Sequence, residues 1–414
     1  MRLFAVVFFM ASLFAGPAAA QPGGPGGFDR AKKAKQASKP DLSVEGFKSA
    51  MAMGQARVKL LQKKLASGAA KDVDKKLSLL VELGSQARDL GTLCQDALYS
   101  EVMQRQLDEA DETASTDRSR VAHENVAAFK KCIADGMRLA MESLQQAVKL
   151  QPEREGMDEL VFQLGYLQLQ AGKGPDGAKT MHYLLEKYPE SDYVPEAWLM
   201  VAEQLFEAGE LDQALAAYAK VDSFQQSRMR PYAKYKTAWC LYNLERWKEA
   251  YEALVTTVDM TGPGSAWHDL YKSVLRDVPL FYSQVGEPEK ALEVFKKLDA
   301  GFHLAMASAL ADIYFEQAKF DEANILLDAL LKASPDNDKA LGWLALRLEN
   351  RASSGDDDAT ESAARALVDY FAKIRKTRPG LAKKHTTDVK VLLESLAPRF
   401  PAINAMTEEL FQKK

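Results

Sequence analysis

Residues 188–218 read YPESDYVPEAWLMVAEQLFEAGELDQALAAY. Trp198 and Ala202 sit four apart in the first half, Ala214 and Tyr218 four apart in the second. That is the period of two helices, each with one apolar face, joined by a short turn. The same phrase can be aligned at four other places: GYLQLQAGKGPDGAKTM (165–181), AWCLYNLERWKEAYEAL (238–254), PLFYSQVGEPEKALEVF (279–295) and ADIYFEQAKFDEANILL (311–327). A small residue recurs at one aligned position, Gly177, Ala214, Ala250, Ala291 and Ala323, at intervals of 37, 36, 41 and 32 residues. Helices approach closely only where a side chain is this small. The next unit then covers the apolar face left over.

A helix–turn–helix unit of this period resembles the tetratricopeptide repeat (TPR), whose length is about 34 residues. Trp198, Ala202, Ala214 and Tyr218 fit its large, small, small and aromatic positions; Ala311, Tyr314, Ala323 and Pro335 fit them in the fifth unit. The first keeps Gly165 and Pro189 but has Met181 at the aromatic position, and the fourth has Pro279 where a small residue belongs. The Tyr-Pro, Ser and Pro-Glu-Ala elements of 188–197 are similar to periplasmic TPR proteins: a Tol-associated division coordinator, an outer-membrane assembly lipoprotein and gliding-motility proteins.

The resemblance implies an all-α, right-handed helical solenoid of about five units over 151–335. Its first helices would line a concave groove, with partner-facing positions at Phe162, Tyr166, Leu199, Glu203, Phe206, Tyr232, Tyr235, Trp239, Tyr242 and Asn243. The third set is the most aromatic, and Tyr and Trp combine large contact area with few rotors. Phe162 and Tyr166 stand where a carboxylate-reading TPR would carry Lys and Asn, so that mode is not expected.

Outside the repeats, residues 43–150 read as helical, with segments near 43–66, 71–110 and 118–150, and DEADETASTDRS (108–119) as a hairpin tip. Helices are expected again over 336–414, as a C-terminal cap. Strand signals are absent throughout. Residues 1–20, MRLFAVVFFMASLFAGPAAA, have the charge, apolar run and small residues of a secretory signal peptide cleaved after Ala20. The residue after that point is Gln21, not the Cys that would carry lipid. Residues 21–42 are Gly/Pro-rich and then basic, a disordered linker by composition. The expected location is the periplasm or beyond the cell, with no membrane span left after cleavage.

The chain has 414 residues, 27% charged and 47% hydrophobic, with 24 Gly and 16 Pro. These values exclude global disorder and collagen-like architecture. The net charge of −4 gives no basic excess for a phosphate backbone, so nucleic acid is not an expected partner. Five scattered His and the lack of His-Glu-x-x-His, Cys-x-x-Cys or Gly-x-Ser-x-Gly leave catalysis without a motif. Neither cofactor nor metal is expected. GKGPDGAKT (172–180) misses a phosphate loop, because Ala178 separates Gly177 from Lys179.

Three cysteines remain. Cys240 reads as a buried thiol. Cys94 and Cys132 have their midpoint at residue 113, the centre of the expected hairpin tip, and both lie on apolar stripes. Antiparallel helices put such residues level. A disulfide then forms if they face each other, and two buried thiols remain if they do not. The functional expectation is a non-catalytic scaffold for protein or peptide partners of a cell-envelope complex, in outer-membrane assembly, division or motility. The alternative is a regulator of a cell-wall synthase or hydrolase, or such an enzyme itself.

Overall fold

The computed structural model describes residues 43–67, 72–112, 116–264 and 266–412. The expected signal peptide and linker, 1–42, lie outside them, as do residues 113–115 of the expected hairpin tip. The described residues form 18 helices and no strand. None is long and apolar enough to cross a membrane. The chain divides into two compact units, one ending at Leu150 and one beginning at Gln151.

The first unit holds α1 (Val44–Ala66), α2 (Val73–Leu98), α3 (Glu101–Glu112) and α4 (Thr116–Leu150). Ser43 and Asp72 cap α1 and α2 by accepting from Gly46 N at 3.0 Å and Asp74 N at 3.3 Å. The sequence reading expects one helix over 71–110, but the helix breaks at Tyr99–Ser100. Ser100 causes the break. Its hydroxyl donates to Ala97 O at 2.8 Å and accepts from Met103 N at 3.2 Å, so it closes α2 and caps α3.

Helices α2 and α4 meet through glycine. A Cβ on Gly136 would lie 2.7 Å from Ala87 O and 3.1 Å from the Gly91 Cα. Next to this crossing Cys94 and Cys132 are joined as a disulfide, their Cα atoms 6.2 Å apart. Both are buried, in a face that also buries Leu80, Leu83, Ala87, Phe129 and Leu144.

The second unit consists of helix pairs, each with a first helix A and a second helix B. They are α5 (Met157–Gln170) with α6 (Gly174–Lys187), α7 (Val194–Glu207) with α8 (Leu211–Ser223), and α9 (Arg230–Asn243) with α10 (Trp247–Thr261). Then come α11 (His268–Tyr282) with α12 (Pro288–Leu298), α13 (His303–Glu316) with α14 (Phe320–Ala333), and α15 (Ala340–Ser354) with α16 (Asp357–Thr377). Helices α17 (Pro379–Leu396) and α18 (Pro401–Gln412) follow. The A helices start at intervals of 37, 36, 38, 35 and 37 residues.

One rule governs every B helix. Its fourth residue is Gly177, Ala214, Ala250, Ala291, Ala323 or Thr360, each buried; its eighth is Met181, Tyr218, Leu254, Phe295, Leu327 or Ala364, each fully buried. In the first five pairs the small residue lets helix A come close and a larger one is buried a turn later; in the sixth the sizes are reversed, Thr360 before Ala364. A Cβ on Gly177 would meet Leu169 Cδ2 at 2.5 Å, which is why the first pair needs glycine there.

The turns from A to B also repeat. In the first, second, third and fifth pairs one residue adopts φ between 57° and 79°, namely Gly172, Gly209, Glu245 or Ala318. The next amide then donates to a carbonyl five residues back, as Arg246 N does to Leu241 O at 2.9 Å and Lys319 N to Tyr314 O at 2.8 Å. GKGPDGAKT is one of these turns and the start of α6. The fourth pair departs. Pro279 lies inside α11, and the longer turn is held by Tyr282 Oη donating to Glu287 O at 3.0 Å.

At the end of the unit Leu344, Leu348, Leu367, Phe371, Ile374, Leu393, Phe400 and Ile403 form one core under α15 to α18. Asp356 caps α16 by accepting from Ala359 N at 3.0 Å.

Candidate partner-binding surface

The A helices α5, α7, α9, α11, α13 and α15 succeed one another along the second unit, and side chains bridge neighbouring A helices. Trp343 of α15 donates to Ser308 Oγ of α13 at 3.1 Å. Tyr235 of α9 donates to Asp277 Oδ2 of α11 at 2.6 Å.

The bridge between α7 and α9 is ionic and buried. Lys236 Nζ lies 3.1 Å from Glu203 Oε2, with both side chains at most 5% exposed. Tyr218 Oη donates to Glu203 Oε1. Lys236 Nζ also sits over the Phe206 ring, 3.9 Å from its centroid. Burial pushes the Glu203 carboxyl above its ordinary value, against the opposing pull of Lys236 and Tyr218. Burial pushes the Tyr218 hydroxyl well up too, and the Glu203 charge adds to it.

This arrangement sorts the ten residues to which the resemblance points. Leu199 and Tyr232 are core, and Glu203 is spent on Lys236 and Tyr218. Phe162 is buried and stacked on Tyr193 at 4.8 Å. These four present little to a partner, because in the array an A helix packs on its neighbours as well as on its own B helix. Tyr166 is half-buried and accepts from Gln170 Nε2 at 2.8 Å. Phe206 is half-buried beneath Lys236, and Asn243 is exposed, donating to Trp239 O at 2.9 Å.

Tyr235, Trp239 and Tyr242 come together, each half-buried. Trp239 meets Phe281 edge-on at 5.0 Å, and Tyr242 lies 4.6 Å from the same ring. Tyr242 also meets Trp247, the first residue of α10, at 4.9 Å and Trp239 at 5.6 Å. The Tyr235 hydroxyl is given to Asp277. Burial first, and the Asp277 charge second, push the Tyr235 hydroxyl up. The Tyr235 tip is thus engaged within the protein, and the three rings stay partly open.

Sequence reasoning missed Phe281, Asp277 and Trp247. Asp277 and Phe281 are four apart on α11 and flank Pro279, the position at which the fourth unit departs from the repeat pattern. Cys240, on the same helix as the cluster, is buried, and burial raises its thiol to about 12. It is an inert packing group.

No family model matches the chain, and no curated protein matches it. Among solved structures, one described as a functional characterization of pilF from Pseudomonas aeruginosa is similar at 18% identity. It covers 56% of this chain and 97% of that one, with a TM-score of 0.30. A tetratricopeptide repeat protein from Parabacteroides merdae ATCC 43184 is similar at 15% identity, covering 68% and 98%, with a TM-score of 0.34. The architecture rests on the helix pairs themselves: an all-α array of the tetratricopeptide type.

Proposed function

We propose that the chain is a non-catalytic interaction scaffold that holds protein or peptide partners of a cell-envelope complex, in outer-membrane assembly, division or motility. The partner seat is Tyr235, Trp239 and Tyr242, with Phe206 and Asn243 at its margin. One observation carries this reading: three half-buried aromatic rings on one A helix, braced by Phe281, Trp247 and Asp277. Rings fixed before binding lose little entropy on binding, and Tyr and Trp dominate such contacts. Export to the periplasm is supported by the composition of residues 1–20, and a cystine in the core of the first unit agrees with an oxidising compartment.

The test is affinity capture from envelope extract on the immobilised chain and on its Tyr235→Ala/Trp239→Ala/Tyr242→Ala variant, alongside incubation with purified peptidoglycan. The scaffold reading expects the same envelope proteins recovered repeatedly by the parent and lost by the variant, with the peptidoglycan unchanged. Turnover of peptidoglycan by the pure protein would establish the enzyme alternative instead.

A further inference from the structure

Helix α1 uses one face and leaves the other open. Val44, Val58 and Leu61 are buried, and Gly54 lets Leu90 of α2 approach so closely that a Cβ would sit 2.8 Å from its Cδ1. On the opposite face are Ala52, Met53, Ala56 and Leu60, all exposed, with Met53 at 69% and Leu60 at 53%. At 100° per residue these four fall within an arc of about 100°, the width of one amphipathic stripe. Lys59 borders the stripe on one side and Arg57 and Lys64 on the other, while Lys63 continues the stripe itself one turn beyond Leu60. Glu45 is the one carboxylate of α1, and it is taken by Lys48 at 3.1 Å. Among the described residues Lys59, Lys63 and Lys64 form no ion pair, whereas Arg57 donates to Gln86 Oε1 at 3.2 Å.

We infer that this face of α1 is a membrane-surface contact that lies on anionic lipid headgroups. Met53 and Leu60 would enter the headgroup–acyl boundary, and the lysine stems would lie along it with their ammonium groups at the phosphates. Two features select lipid over a protein partner. Lysine is depleted in the cores of protein interfaces but enriched on the polar flanks of interfacial helices. The stripe is also nearly flat, two long side chains among alanines, and offers a protein little to interlock with. The site is independent of the aromatic cluster, so either can fail alone.

The experiment is co-sedimentation with vesicles of phosphatidylcholine alone and of phosphatidylcholine with phosphatidylglycerol. It is run on the full chain and on the chain that begins at Gln21, so that the apolar residues 3–14 do not decide it. Residues 30–39 are common to every variant of either form. The parent is expected to bind the anionic vesicles, to prefer them at least tenfold over neutral ones, and to release in 0.5 M salt. Lys59→Gln/Lys63→Gln/Lys64→Gln should weaken binding about a hundredfold, at roughly fivefold per lysine near an anionic surface. Met53→Glu/Leu60→Glu should weaken it as well, and replacing the three lysines by Arg should restore it. Equal binding by parent and Gln variant, equal binding to neutral vesicles, no binding by the parent, or α1 residues engaged by a protein instead of lipid would each overturn the proposal. The Arg variant and the salt series on the parent decide it even if the Gln or Glu variants fold poorly.

Discussion

Lys236 shows how far one side chain can be committed. It neutralises Glu203, covers Phe206 and ties α9 to α7, all within a buried site. Replacing it with Met keeps the volume but leaves a buried carboxylate unpaired, a change that costs about 3–5 kcal/mol. The deficit should depend on pH. Burial already raises the Glu203 carboxyl, and loss of Lys236 removes a group that lowers it. A raised carboxyl contributes stability below its ordinary range and loses it as pH rises through the folded value. Urea unfolding should therefore find Lys236→Met weakened most near pH 8 and least near pH 5; a deficit independent of pH would contradict the buried charge. The backbone offers a second residue-scale test. Ala318 sits exposed at φ 57° where two of the other turns use glycine. Ala318→Gly should raise stability by about 1 kcal/mol, seen as a higher thermal midpoint, because the left-handed region penalises a Cβ.

At the scale of the element, much of the fold could be read from spacing. The small fourth residue of the first five B helices stands at the same place in sequence and in space, because close approach depends on that atom count alone. The level of Cys94 with Cys132 follows from symmetry about the turn, whereas their facing each other depends on helix rotation, which the glycines at 91 and 136 set. Thiol titration of denatured, unreduced protein exported from the cell should find one group, Cys240; three would contradict the bridge. Reduction should cost about 3–4 kcal/mol in the chain-entropy view of a loop of this size. What spacing could not supply came from single residues acting over distance. Ser100 splits a helix by capping the next one. Pro279 stands where the fourth unit should have a small residue, so the first helix of that unit departs from the pattern. Glu203 looks like a groove residue until Lys236, 33 positions on, is placed beside it. Four of the ten candidate groove residues went into packing for that reason, while the aromatic trio stayed partly open.

Across the second unit as a whole, each helix pair packs on its neighbours, so stability is shared between adjacent pairs rather than gathered in one centre. Such an array can spare partly exposed aromatic surface on one pair, since the core under its B helices does not depend on it. We propose that Tyr235, Trp239 and Tyr242 are that spared surface and carry partner binding. Its direct test is the affinity of a partner, once captured and purified, for the parent and for the triple Ala variant, with circular dichroism of both. A loss of at least about 2 kcal/mol, some thirtyfold in Kd, is expected, with the helical signal retained. Unchanged affinity with normal helicity would contradict it, and loss of helicity would show the three rings to be core.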